Sequence, residues 1–133
     1  MSDVDDLVTI DVVSDVMCPW CYIGKRRLEA ALADLPNIQV DVRWRPFQLD
    51  ATLPASGKDR QQYLEDKFGG PQRAREVYAR IEDAGREDAI PFHFEAIAVS
   101  PNTLDAHRVI RWAGGISAQV QDRLVEALFR AFF

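Results

Sequence analysis

Apolar and polar positions along this chain fall into three patterns, each predicting a different kind of element. Residues 7–14 (LVTIDVVS) are apolar and β-branched apart from Thr9, Asp11 and Ser14, the pattern of a parallel strand buried on both faces. Residues 38–45 alternate instead, with Ile38, Val40, Val42 and Trp44 on one side and Gln39, Asp41, Arg43 and Arg45 on the other. That is a strand with one face in the core, expected at a sheet edge. Between them Leu28, Ala31, Leu32 and Leu35 recur at helical spacing, with Lys25, Arg26, Glu29 and Asp34 elsewhere around the barrel, until Leu35-Pro36-Asn37 stops the helix. Strand, helix and strand with short connections predict a right-handed parallel βαβ unit in an α/β fold.

Beyond a loop holding Pro54, Ser56 and Gly57 the pattern is helical. One helix is expected over 58–68, a second from Gly69-Gly70-Pro71 to about residue 84, and a third from about 102 to 113, closed by Gly114-Gly115. A last helix starts at Ser117 as N-cap with Val120, Leu124 and Leu128 on one face. Residues 90–94 (IPFHF) read as an apolar loop, because Pro91 interrupts a very short run. The chain divides on this reading into residues 1–57, a βαβ part, and 58–133, a helical part. Two strands make a marginal sheet, and the chain stops on Leu128-Phe129-Arg130-Ala131-Phe132-Phe133 without a capping glycine. Either the pattern conceals further strands or the chain is a portion of a longer domain, and a truncated sheet would leave apolar surface around the strands that could support a homodimer.

Composition narrows the function classes. With 133 residues, 47% apolar and 28% charged, the chain suits one globular domain able to bury a core. A formal charge of −5 argues against nucleic acid as partner, and Lys25-Arg26-Arg27, the one basic run, reads as a solvated helix face. No apolar stretch approaches the roughly 20 residues of a membrane span. The start, Met1-Ser2-Asp3-Val4-Asp5-Asp6, is acidic where a signal peptide is basic, so a cytoplasmic location with reduced thiols is expected.

Against that background the two cysteines stand out, because Cys18-Pro19-Trp20-Cys21 lies where the first strand gives way to the helix. A cysteine at a helix N-terminus has its thiolate stabilised by unpaired backbone N–H groups and the helix dipole. Pro19 fits the first helical turn, and Trp20 shields the sulfurs on a substrate-facing side. Cys21, one turn in, is less exposed, so Cys18 is the expected nucleophile and Cys21 the resolving thiol. Metal binding is disfavoured, since His93 and His107 match none of the usual zinc spacings. His107 reads as a packing or capping residue, Asp11 as a strand-face charge and Asp15 as a loop or cap residue. Trp44, Trp112 and the phenylalanines read as core.

Asp15-Val16-Met17-Cys18-Pro19-Trp20-Cys21-Tyr22-Ile23-Gly24-Lys25-Arg26, with Arg43-Trp44-Arg45-Pro46-Phe47-Gln48-Leu49 and Asn102-Thr103-Leu104-Asp105-Ala106-His107-Arg108, resembles the DsbA-like thioredoxin superfamily. The nearest branch is the FrnE-like cytoplasmic oxidoreductases, related to 2-hydroxychromene-2-carboxylate isomerases and kappa-class glutathione transferases. The resemblance implies a thioredoxin fold interrupted by a helical insertion, without the family's C-terminal β-hairpin, final helix and cis-proline loop. Where some relatives carry a buried acid before the first cysteine, this chain has Val12. The implied activity is thiol-disulfide exchange on protein substrates at Cys18 and Cys21, needing no cofactor, with glutathione a possible redox partner. Two alternatives stand beside it: a glutathione-dependent transferase or isomerase, against which the first cysteine counts, and a non-catalytic binding module.

Overall fold

A computed structural model describes residues 7–133; the acidic run at residues 1–6 lies outside them. The elements are β1 (Leu7–Ser14), α1 (Pro19–Ala33), β2 (Gln39–Pro46), β3 (Lys58–Asp59), α2 (Arg60–Phe68), α3 (Pro71–Glu87), a 3-10 turn (Phe94–Ala96), β4 (Val99–Ser100), α4 (Leu104–Ile116) and α5 (Ala118–Phe132). Strands β1 and β2 pair in parallel from Leu7 opposite Gln39 to Ser14 opposite Pro46, as the βαβ pattern predicts. The pattern did not reveal β3 and β4, two residues each, which pair antiparallel at the start of α2.

One aromatic-rich core joins the layers. Ile23 and Tyr22 of α1, Trp44 of β2, Ile110 of α4 and Val125 and Phe129 of α5 meet Ile81 of α3 and the loop residues Ile90 and Phe92. The proline-marked loop thus behaves as expected: it turns its apolar side chains inward, and the His93 N–H donates to the Phe133 carbonyl at 2.9 Å. Met17, Leu53 and Tyr63 form a smaller cluster beneath the strand-to-helix junction.

Several expectations need correction. Strand β1 is not buried on both faces: Ile10 and Val12 face the core, whereas Leu7, Val8 and Val13 are exposed, Val13 by 62%. Helices α4 and α5 contact β2, and the face of the two-stranded sheet that carries Val13 is left open among the described residues. Along α1 the buried positions are Pro19, Tyr22, Ile23 and Lys25, while Ala31 and Leu35, the latter beyond the helix end, are exposed. Lys25 is therefore no solvated residue. It is 3% exposed and held by Glu29, Asp122 and Glu126. The buried stripe of α5 is Ala118, Gln121, Val125 and Phe129, one position from the expected one, and Val120, Leu124 and Leu128 flank it. Trp112 (69% exposed) and Phe47 are surface residues; Trp112 falls opposite His107, Ile110 and Ala113, the side of α4 that packs.

The glycines at residues 114 and 115 do not end α4, which continues to Ile116. Gly114 is needed for a different reason: a Cβ there would overlap the Gln121 amide. That buried amide accepts the Trp44 N–H at 2.9 Å and donates to the Ile110 carbonyl at 3.1 Å. A side chain of α5 thereby satisfies an edge group of β2 that no further strand reaches. The remaining termini follow their chemistry. Asp59 caps α2 by accepting the Gln62 N–H, Gly69 closes it at φ 81°, and Ser117 accepts the Val120 N–H at the start of α5.

Candidate active site

Strand β1 ends at Ser14 and α1 begins at Pro19, so Cys18 is the N-cap, with extended backbone (φ −94°, ψ 113°) and no side-chain cap of its own. A turn fixes it there: the Cys18 N–H donates to the Asp15 carbonyl at 3.1 Å, and the Cys18 carbonyl accepts the Cys21 N–H at 3.1 Å. Both cysteines are free and partly buried, and Trp20 between them is 50% exposed. The four expected site residues thus come together, with Pro19 in the first turn and Trp20 facing solvent.

The two sulfurs differ in acidity. A hydrogen bond from the Cys21 thiol holds Cys18 down to about 6 from 9.0, overcoming the burial that opposes it. The Cys21 and Trp20 backbone N–H groups and the positive charge of Lys67 add to that effect. Cys21 moves the other way, raised by its bond to Cys18 and by burial, with the Asp15 charge adding to the rise. The arrangement favours the thiolate at Cys18 and leaves the proton with Cys21.

Asp15 and His107 are the site residues that sequence reasoning missed. Asp15 is 1% exposed, and its carboxylate accepts the Leu49 N–H at 2.8 Å and meets His107 Nε2 at 3.1 Å. An ionised carboxylate only accepts, so Nε2 carries a proton. Burial pushes the Asp15 carboxyl up, but hydrogen bonds from His107, Leu49 and Thr103 outweigh it and hold it below the usual range. The pair ties the turn before Cys18 to α4 and to the segment after β2. Asp15, three residues before Cys18, was readable only as a loop or cap residue, because nothing local linked it to a histidine 92 positions on. Asp11, by contrast, is the strand-face charge expected, paired with Arg45 on the surface. Among the described residues no three His, Cys, Asp or Glu side chains gather as a metal ion would require.

The family model of the DSBA-like thioredoxin domain matches residues 9–133. The chain belongs to that family. This DSBA-like domain is similar to the crystal structure of a probable DsbA oxidoreductase from Streptomyces coelicolor, with TM-score 0.82 and 26% identity over 94% of the chain and 53% of that protein. Over 42 residues it is also 43% identical to the uncharacterized protein YwbO of Bacillus subtilis (strain 168), a match covering 32% of this chain and 20% of that one. The domain therefore spans about half of the solved relative. Its mixed α/β architecture is that of a thioredoxin-like DsbA fold, and the family is one of thiol-disulfide oxidoreductases.

Proposed function

We propose that this DSBA-like domain exchanges disulfides with protein substrates through Cys18 and Cys21, in the manner of the FrnE-like branch. The observation that carries the reading is two free thiols set one helical turn apart at an N-terminus, Cys18 as the N-cap and Cys21 in the first turn, a placement that favours the thiolate at Cys18. In the reducing direction the Cys18 thiolate attacks one sulfur of a substrate disulfide, forming a mixed disulfide and expelling the other sulfur as a thiolate. Cys21, once deprotonated, attacks the Cys18 sulfur and releases the second substrate thiolate. The domain's disulfide then holds the two-electron oxidation that the substrate has lost, and the oxidising direction is the same sequence reversed. Bond formation at Cys18 removes the negative charge that Cys21 was sharing, which lowers the cost of ionising Cys21 at that moment.

Glutathione is the proposed small-molecule redox partner, since it can reduce or load the same pair without a separate cofactor. The test is insulin reduction with glutathione as electron source. Wild type should accelerate it, Cys18→Ala should be inactive, and Cys21→Ala should accumulate a mixed disulfide detectable by intact mass. Unchanged activity in Cys18→Ala would overturn the assignment.

A further inference from the structure

Arg60, the first residue of α2, is 6% exposed and pairs with no carboxylate among the described residues. Its guanidinium lies over the rings of Tyr78 (4.9 Å) and Phe94 (5.7 Å), and Nη2 has no hydrogen-bond partner. A buried cation is ordinarily paired, because stacking on aromatic faces recovers only part of the hydration it loses. Arg60 also forms part of the wall of a cavity of about 390 Å³ between α2, α3 and the 3-10 turn, with apolar lining from Leu64, Pro71, Ala74, Tyr78, Phe94 and Ile97 and a second, exposed arginine in Arg75. Glu65 and Glu95 also line it, but neither forms an ion pair with Arg60, and Glu65 accepts from Gln61 at 3.1 Å. One terminal nitrogen of Arg60 is thus left without a partner on a residue that lines the cavity.

The helix that carries Arg60 lies against the thiol turn: Met17, one residue before Cys18, packs with Tyr63 of α2. We propose that this cavity is a substrate subsite for a carboxylate: an acidic side chain carried a few residues from the reacting cysteine of the polypeptide. The identity of that polypeptide as a thiol-disulfide substrate rests on the function proposed above. The guanidinium geometry favours a planar two-oxygen acceptor, and the apolar walls take the methylene stem of a glutamate.

Fluorescein-labelled peptides with one S-methylated cysteine test this without redox chemistry. Each carries a single Glu at one of the neighbouring positions on either side, and each has a Gln twin. With wild type, at least one Glu peptide should bind about tenfold tighter than its twin, the scale of one charge-assisted hydrogen bond. Arg60→Met should erase the gap and Arg60→Lys keep part of it. Gln61→Glu, an exposed lining position, should also erase it and covers the case in which Arg60→Met fails to fold. Equal binding of every Glu and Gln pair, or a full gap surviving in Arg60→Met or Gln61→Glu, overturns the subsite. Failure of the domain's dithiol to reduce the same peptides supplied unmethylated as mixed disulfides with glutathione, with the gap intact, would instead overturn the oxidoreductase reading alone.

Discussion

Replacing Cys21 separates the two sources of Cys18 acidity. The sulfur is held down to about 6 from 9.0, a preference for the thiolate of about 4 kcal/mol, which solvent at a partly exposed atom trims to about 2–3 kcal/mol. The hydrogen bond from Cys21 is the largest contributor, ahead of the backbone N–H groups and Lys67. Cys21→Ala removes that donor and leaves the helix terminus intact; Cys21→Ser keeps a donor of similar reach. In the alanine variant the Cys18 pKa should rise by at least one unit, so that the thiolate fraction at pH 7 falls from about 90% to about 50% or less. The serine variant should stay within about half a unit of wild type. Absorbance of the thiolate at 240 nm against pH, under reducing conditions, reads the value directly, and the pH profile of iodoacetamide alkylation checks it. If both variants titrate with wild type, the S–H donor is irrelevant and the helix terminus alone sets the acidity. If wild type itself titrates near 8.5, the opposed acidity on which the proposed mechanism rests is wrong.

Three further outcomes follow from the packing. The Arg26 hydrogen bond holds Glu126 down to about 2 from 4.5, so its contribution to stability is complete above pH 4.5 and is lost as pH falls through 2. Glu126→Gln should cost about 1–2 kcal/mol in urea unfolding at pH 7, with the gap to wild type shrinking below pH 4.5; a pH-independent gap would contradict this. Asp15→Asn removes the charged acceptor of His107 and should cost about 1–3 kcal/mol. It should also ease ionisation of Cys21, seen as faster resolution of a mixed disulfide at Cys18 in stopped flow. Gly114→Ala should cost about 1–3 kcal/mol by displacing the Gln121 amide from β2; a stabilising effect, as expected for an ordinary helix glycine, would refute the steric account.

The legible parts of the fold were those written in local periodicity and local chemistry. Alternation at residues 38–45 identified β2 and its inward Trp44, and Ser117 marked the start of α5 by the cap it makes. The cysteine pair was legible because strand, proline and helix dictate its setting within a dozen residues. What escaped were properties that depend on partners far along the chain. Lys25 and Arg26 look like surface residues until Glu126, a hundred positions later, closes on them. His107 looks like a helix residue until Asp15 meets it. Gly114 reads as a stop signal unless Gln121 is known to occupy the space beside it. Hydrophobic pattern also predicts burial only if something covers the face, which is why β1 and Trp112 misled.

Those long-range contacts explain how a two-stranded sheet presents a defined thiol pair. Tyr22 follows Cys21 directly, and its ring stacks on Phe129 with centroids 4.9 Å apart and planes 5° from parallel. One turn later Arg26 grips the Glu126 carboxylate with both terminal nitrogens, at 2.7 and 2.6 Å, while Lys25 reaches the same carboxylate at 3.0 Å. Helix α1 is therefore held to α5 by an apolar contact on one turn and a charged one on the next, which restrains both its rotation and its slide. A half-turn rotation would aim the N-terminal N–H groups away from Cys18 and break the contacts that make the two sulfurs unequal. On the other flank, Asp15 anchors the turn to Leu49 and His107, so the nucleophile sits between two fixed points. The distant helices thus act on the chemistry by fixing where one helix begins.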